Sequence, residues 1–239
     1  MIMSAIPSTV TEQTAQSEEE RITLKLKYTA KEDYQSSKTA EMYEQRDMYQ
    51  GVVGNRRVKT ETNVIRHVAD RIEPGSTLLD CPCGNGRWFE ILSKNVTQIR
   101  ATDVSKGMVE YASRRQLPDT VTVEVGLGDA EKLALADNEV DYTFSYALMK
   151  HIPVHIQFNI IKEFARVSRK GVFCSFAVLT PLSYAWWRRK KLTESFPIIR
   201  EDLQNMARYA GLELNELIKV SQPLVGLEYF AVFQKNGKS

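Results

Sequence analysis

The sequence predicts an α/β fold in which the strands of a doubly wound sheet alternate with helices. Three observations predict it. From Pro74 onward, short apolar runs alternate with segments of helical period, the pattern of a mainly parallel sheet with crossover helices. The first run ends in Asp80 and passes through a G-x-G turn, Gly84-Asn-Gly86, into a helix. The next two runs end at or just before further acids, Asp103 and Asp129, and in open α/β sheets ligands bind at the carboxyl ends of the strands.

Each element follows from its own pattern. Residues 1–20 are rich in Ser, Thr, Gln and Glu without apolar periodicity, and are expected to form a disordered tail. Residues 21–74 are expected to form an N-terminal helical cap. In it Tyr28, Tyr34, Tyr43 and Tyr49 are interleaved with charges, and then Val58, Val64, Ile65, Val68, Ala69 and Ile72 recur at helical spacing until Glu73-Pro74-Gly75 stops the helix. Thr77 to Asp80 is the first strand, and a helix from about Arg87 to Ser93 follows the glycine turn. Gln98 to Asp103 is the second strand; Ser105 is placed to cap a helix over 105–116 with Met108, Val109 and Ala112 on one face. Val121, Val123 and Val125 alternate as a third strand, Val140 to Tyr146 is a fourth, and Pro153 opens a helix through Ile160, Phe164 and Val167. Gly171 to Val178 is the fifth strand; Leu203, Met206, Ala207 and Ala210 mark a helix closed by Gly211. Leu212 to Val220 and Gly226 to Phe233 are the last strand-like runs.

Composition narrows the function classes. The 239 residues suit one domain with decorations, and 43% hydrophobic residues suffice for one core. No apolar run approaches the ~18–20 residues of a membrane-spanning helix, so no stable membrane insertion is expected. The N-terminus lacks the basic and apolar regions of a secretory signal. Three cysteines argue against a disulfide scaffold and fit a reducing, cytoplasmic setting. A balance of 32 Lys+Arg against 30 Asp+Glu is no nucleic-acid footprint.

The residues that carry chemistry gather after the strands. Gly84 and Gly86 let backbone approach a ligand closely, and the helix after them offers free N–H groups. A dinucleotide fingerprint would want a third glycine where Phe89 stands, and no Gly-Lys-Ser/Thr of a phosphate loop occurs. Asp103 lies 19 residues after Gly84, where an acid can accept both hydroxyls of a ribose. Gly128-Asp129-Ala130 follows the third strand, where a polar side chain can meet an adenine edge. The simpler readings are a strand-end turn for Asp80 and a helix cap for Asp103. Cys81 and Cys83, C-x-C without a second pair, read as packing residues and not as a zinc site. No metal site is expected.

These motifs together resemble the class I S-adenosylmethionine-dependent methyltransferases, in particular their small-molecule group. Leu78 through Arg87 looks like the family's first motif, Ala101 to Ser105 like its ribose motif, and Gly128 to Leu133 with Asp137 to Tyr146 like its adenine motif and fourth strand. Ala147 to Pro153, Ile161 to Gly171 and Ala210 to Leu212 also fit, so that the resemblance spans roughly residues 75–235. It implies a Rossmann-like seven-stranded sheet with the last strand antiparallel, helices on both faces and an N-terminal cover. Residues 75–239 would then be the cofactor-binding domain, with 180–200 inserted near the substrate side.

The resemblance also implies roles. Asp80 and the Gly84–Gly86 backbone would hold the methionine moiety, and Asp103 the ribose. Val104 would stack on the adenine, Asp129 and Ala130 would address its edge, and Ser145 and Tyr146 would lie near the sulfonium. S-adenosyl-L-methionine is then the cofactor and S-adenosyl-L-homocysteine its product. The expected acceptor is a hydroxyl or amine of a small molecule, with no nucleic acid and with a monomer or homodimer as the working form. The alternatives are a non-methylating member of the fold and an RNA methyltransferase. His151 is the candidate general base; relatives often carry His-His here, and Lys150 occupies the first place. Its other reading is a residue packing or capping the start of a helix. Lys150 is expected to meet an acidic substrate or solvent. Tyr34, Tyr43, Trp186 and Trp187 are candidate substrate contacts, the two tryptophans standing beside Arg188-Arg189-Lys190-Lys191, and both stretches can equally be covering helices. Arg56 and Arg57 are placed to meet the cofactor carboxylate. His67 and His155 read as structural.

Overall fold

The structure is a computed structural model that describes residues 51–184, 195–220 and 227–235, with the side chains of 51–57 excepted. Its elements are helix α1 (Gly51–Ala69), strand β1 (Ser76–Asp80), helix α2 (Phe89–Leu92), β2 (Val96–Asp103), α3 (Lys106–Ala112), β3 (Thr122–Leu127) and β4 (Val140–Ser145). A 3₁₀ turn (Met149–His151) precedes α4 (Val154–Val167), β5 (Ser168–Leu179), β6 (Ile198–Ile199), α5 (Arg200–Tyr209), β7 (Leu212–Lys219) and β8 (Glu228–Lys235). The expectations for 1–50 (the tail, most of the cap, Tyr34 and Tyr43), for the side chains of Arg56 and Arg57, and for Trp186 and Trp187 lie outside the described residues.

The sheet runs β3-β2-β1-β4-β5-β8-β7, with β6 attached to β5. β1 to β5 are parallel to one another, while β8 is antiparallel to both β5 and β7. The antiparallel last strand is the one implied by the resemblance. Alternation along each strand divides the core in two. Leu79, Val172, Cys174, Ala231 and Phe233 face α4 and α5, packing with Ile160, Ile161, Phe164, Leu203 and Met206. Leu78, Phe173, Phe230 and Val232 face the other way, with Val64, Ile65 and Val68 of α1, Phe89 and Leu92 of α2 and Ala112 of α3. With helices on both faces, the central strands bury both sides, which is why β4 is buried at every position.

Local signals place the ends. Ser105 Oγ accepts from Met108 N–H at 3.4 Å and caps α3, and Gly211 closes α5 with φ +71°. Several boundaries differ from the sequence reading. α1 starts at Gly51, seven residues before the first apolar contact of the pattern at Val58, and gives way to turns after Ala69. α3 ends at Ala112, short of residue 116. β5 runs twelve residues, and Ile198–Ile199 returns to pair with its last two, Val178 and Leu179. The 180–200 connection therefore begins and ends at one place on the sheet edge.

The opposite, amino-terminal edge is tied by charge. Asp141, opening β4, accepts from Thr77 N–H at 2.9 Å, Thr77 Oγ1–H at 3.1 Å and Arg169 Nε–H at 3.0 Å, joining β1, β4 and β5. Burial alone would raise its pKa, but the Arg169 and Thr77 bonds outweigh it and hold the carboxyl near about 2. Such bonds to a charged group contribute about 1.5–3 kcal/mol, so Asp141→Asn should lose about that much stability in urea unfolding at pH 7. Because the folded pKa lies below the ordinary 3.8, the difference is full above that pH and fades as pH falls through about 2. An equal loss at every pH would remove the ionic account.

Candidate active site

Parallel strands bring the carboxyl ends of β1, β2 and β4 to one edge, with Asp80 beside Ala101 on one side and Phe144 on the other. Asp80 and Asp103 both lie there, 1% and 5% exposed. Between them the chain turns through Gly84 and Gly86, at φ +54° and +74°. Asp103 organises that turn: Oδ2 accepts from Gly84 N–H and Oδ1 from Ser105 N–H, each at 2.9 Å. Burial raises the Asp103 pKa, and these backbone bonds pull it back. Asp103 is thus at once the α3 lead-in residue and a carboxylate with lone pairs to spare, since an ionised carboxylate accepts about four bonds.

Asp80 is different. Its Oδ2 is fully buried with no hydrogen-bond partner among the described residues, and burial together with the neighbouring Asp103 charge pushes its carboxyl well above the usual range. A buried carboxyl oxygen left unsatisfied costs free energy that a donor or cation placed there would return. This is the feature that a ligand carrying an ammonium group and ribose hydroxyls would fit.

The other expected residues fall around this pair. Val104 directly follows Asp103. Gly128 N–H donates to Asp103 O at 3.0 Å, which brings the Asp129-Ala130 turn against the same edge. Asp129 Oδ1 accepts from Glu131 N–H at 3.0 Å, and Ala130 is buried. Ser145 is fully buried at the end of β4, paired with Cys174. Tyr146 stacks on Phe230 at 6.1 Å and meets Trp88 edge-on at 5.6 Å. Burial, then the charges of Glu228 and Glu61, raise its phenol pKa far above the ordinary value. Cys81, Cys83 and Cys174 are buried thiols whose pKa values burial raises, so they stay protonated and inert.

His151 ends the 3₁₀ turn just past β4. Burial, then the neighbouring Lys150 charge, lowers its pKa to about 4, so the imidazole is neutral at pH 7. Lys150 is held by Glu228, Nζ to Oε1 at 3.0 Å, both partly buried. The structure thus gives Lys150 a carboxylate of its own chain as partner.

Two groups here were not singled out from the sequence. Glu61 on α1, 2% exposed, bonds Arg87 at 3.0 Å, and that guanidinium lies 4.0 Å over the Trp88 ring. The pair ties α1 to the residue after Gly86. The signal was present: Glu61 falls on the apolar stripe of Val58, Val64, Ile65 and Val68, where an acid needs a partner. The second is Ala147, a non-glycine residue at φ +62°. That conformation costs an L-residue about 1–2 kcal/mol, and such strain collects at functional sites.

Residues 78–171 match the sequence family described as a methyltransferase domain. Over that stretch the chain is similar to methyltransferase domains. The match begins within β1 and ends in β5, so the matched stretch includes Asp80, both turn glycines, Asp103 and His151. It is 31% identical over 103 residues to a demethylmenaquinone methyltransferase of Staphylococcus saprophyticus, covering 42% of this chain and 43% of that protein. It is 32% identical over 123 residues to a malonyl-[acyl-carrier protein] O-methyltransferase of Yersinia pestis, covering 47% and 42%. The chain therefore spans under half the length of these curated relatives. In fold, it is similar to magnesium protoporphyrin IX methyltransferase from Synechocystis PCC 6803, solved with bound S-adenosylhomocysteine. The TM-score is 0.69 over 85% of this chain and 97% of that one, at 18% identity.

Proposed function

We propose that this protein binds S-adenosylmethionine at the Asp80–Asp103 edge and transfers its methyl group to a hydroxyl or amine of a small molecule. The observation that carries the reading is the buried, unpartnered Oδ2 of Asp80 beside a ribose-competent Asp103. Asp80 and the glycine-turn backbone hold the methionine end, and Asp103 accepts from the ribose hydroxyls with the lone pairs that Gly84 and Ser105 leave unused. Val104, Asp129 and Ala130 frame the adenine, while Ser145 and Tyr146 bound the reacting end. When bound, the cofactor supplies an activated methyl group on a sulfonium. The chain's own contribution is chiefly orientation. A demethylmenaquinone methyltransferase and a ubiquinone biosynthesis O-methyltransferase among the relatives support a small-molecule acceptor.

His151 accepts the acceptor's proton in this reading. With a pKa of about 4 it is in its basic form at neutral pH, but it is a weak base, worth less than the ~10²–10⁴-fold typical of a well-matched one. S-adenosylhomocysteine formation, measured against a panel of hydroxylated and aminated aromatics and acyl carboxylates, tests the transfer. If the protein binds the cofactor but no acceptor in the panel yields the product, the transfer reading is wrong. With an active acceptor, His151 control predicts kcat/KM flat from pH 7 to 5 and falling only near pH 4. A fall centred near 6.5 that survives in His151→Ala assigns the titration to another group.

A further inference from the structure

The loop that leaves β4 carries Tyr146, Ala147, Lys150 and His151, and side chains of β5 and α4 hold its path. Ala147 has left-handed backbone, φ +62°. Its N–H donates to Ser175 Oγ at 2.7 Å, and Ser175 is a β5 residue only 2% exposed, one beyond the Cys174 that pairs with Ser145. Farther along, the fully buried Gln157 of α4 brings Nε2 to 2.9 Å from Met149 O, 2.8 Å from Ile152 O and 3.0 Å from Phe196 O. Phe196 N–H in turn donates to Lys150 O at 2.8 Å. The downstream half of the loop is therefore clamped by several bonds. The upstream half, where the backbone is strained, is held by Ser175 at the strained residue itself.

We propose that Ser175 is a positioning residue: its hydroxyl holds Ala147 in the left-handed conformation that carries the chain from the sulfonium side at Tyr146 to the base position at His151. An alanine relaxes to negative φ when released, and that shift would travel into the clamped turn through the residues between. Misplacement on the scale of an ångström costs up to ~10²-fold in turnover. Ser175 makes this contribution without touching cofactor or acceptor. The proposal rests on the reading of this loop as part of the active site.

The test is a cycle of Ser175→Ala, Ala147→Gly and the double variant, assayed for kcat, KM, S-adenosylhomocysteine affinity and amide exchange across 146–152. Ser175→Ala should lower kcat about tenfold or more, raise exchange in this loop, and leave cofactor affinity within about twofold because Asp80 and Asp103 are untouched. Ala147→Gly should restore kcat and exchange in the Ser175→Ala background, since glycine takes positive φ without a tether. A merely structural loss would not be rescued at a second site that adds no contact. Unchanged kcat in Ser175→Ala, or a loss that the glycine does not relieve, overturns the proposal. Wild-type protein that turns over no acceptor is a failure of the transfer reading instead, and unchanged exchange in Ser175→Ala overturns the proposal even then.

Discussion

Asp80→Asn weakens binding of S-adenosylmethionine by about ten- to hundredfold, the loss expected for a hydrogen bond to a charged group, while the unliganded protein melts no lower than the wild type. The two effects part company because Asp80 Oδ2 has no hydrogen-bond partner among the described residues. Its pKa is raised by burial and by Asp103, so folding opposes ionisation. Wild-type stability should therefore decline as pH rises from the ordinary carboxylate value of 3.8 toward the higher folded value, and the Asn variant should lack that decline. Asp103→Ala makes the contrast. It removes the acceptor for Gly84 and Ser105 N–H as well as for the ribose, so it should lose stability and affinity together. Calorimetric titration and thermal melts on the two variants decide the matter. If Asp80→Asn binds normally and melts lower, Asp80 is a structural strand-end residue and the methionine assignment fails.

Gly86→Ala carries the second large effect. A Cβ on Gly86 would stand 2.8 Å from Phe89 Cε2 and 3.0 Å from Arg115 Cγ, at a backbone φ of +74°. Phe89 is 1% exposed and packed in the α1–α2 core, so it cannot swing away as a surface side chain would. Left-handed strain and overpacking together cost about 2–4 kcal/mol, and the turn must open to relieve them. The expected result is a lowered melting temperature with cofactor binding lost or severely weakened. Gly84→Ala meets no atom within 4 Å and suffers only the conformational strain, so it should be the milder of the two. Equal, slight effects at both positions would show that the turn tolerates side chains and is not the backbone cradle described above.

Much of this was legible in the sequence because it is local. Alternating Val121-Val123-Val125, the cap at Ser105 and the stop at Gly211 depend on neighbours within a few residues, and each appears in the fold. The Asp80, Gly84–Gly86 and Asp103 constellation was legible because parallel strands bring their carboxyl ends together by topology alone. What escaped depends on partners far apart in the chain. Ala147 looks like an ordinary alanine until Ser175, 28 residues on, supplies the bond that holds it. Lys150 reads as a free cation until Glu228, 78 residues on, comes alongside. Ile198–Ile199 is too short to announce itself as a strand, and forms one only because the end of β5 is waiting for it. Glu61 was the one missed residue with a local signal, an acid on an apolar stripe.

The place of β8 has a consequence for how the chain is made. It lies between β5 and β7, so β5 has no neighbour on that side until residues 228–235 emerge. Gly171 illustrates how closely the late strand is fitted, for a Cβ there would lie 2.6 Å from Phe233 O. At ~5–20 residues per second of synthesis, the β5 edge stands open for roughly several seconds after β5 itself is complete. Throughout that interval Phe173, Cys174 and Phe176 border an unpaired strand edge, the kind of template on which nascent chains associate. Yield of folded protein should thus be governed by how fast translation runs through residues 180–235, and slow codons there would act as destabilising mutations that leave the sequence unchanged.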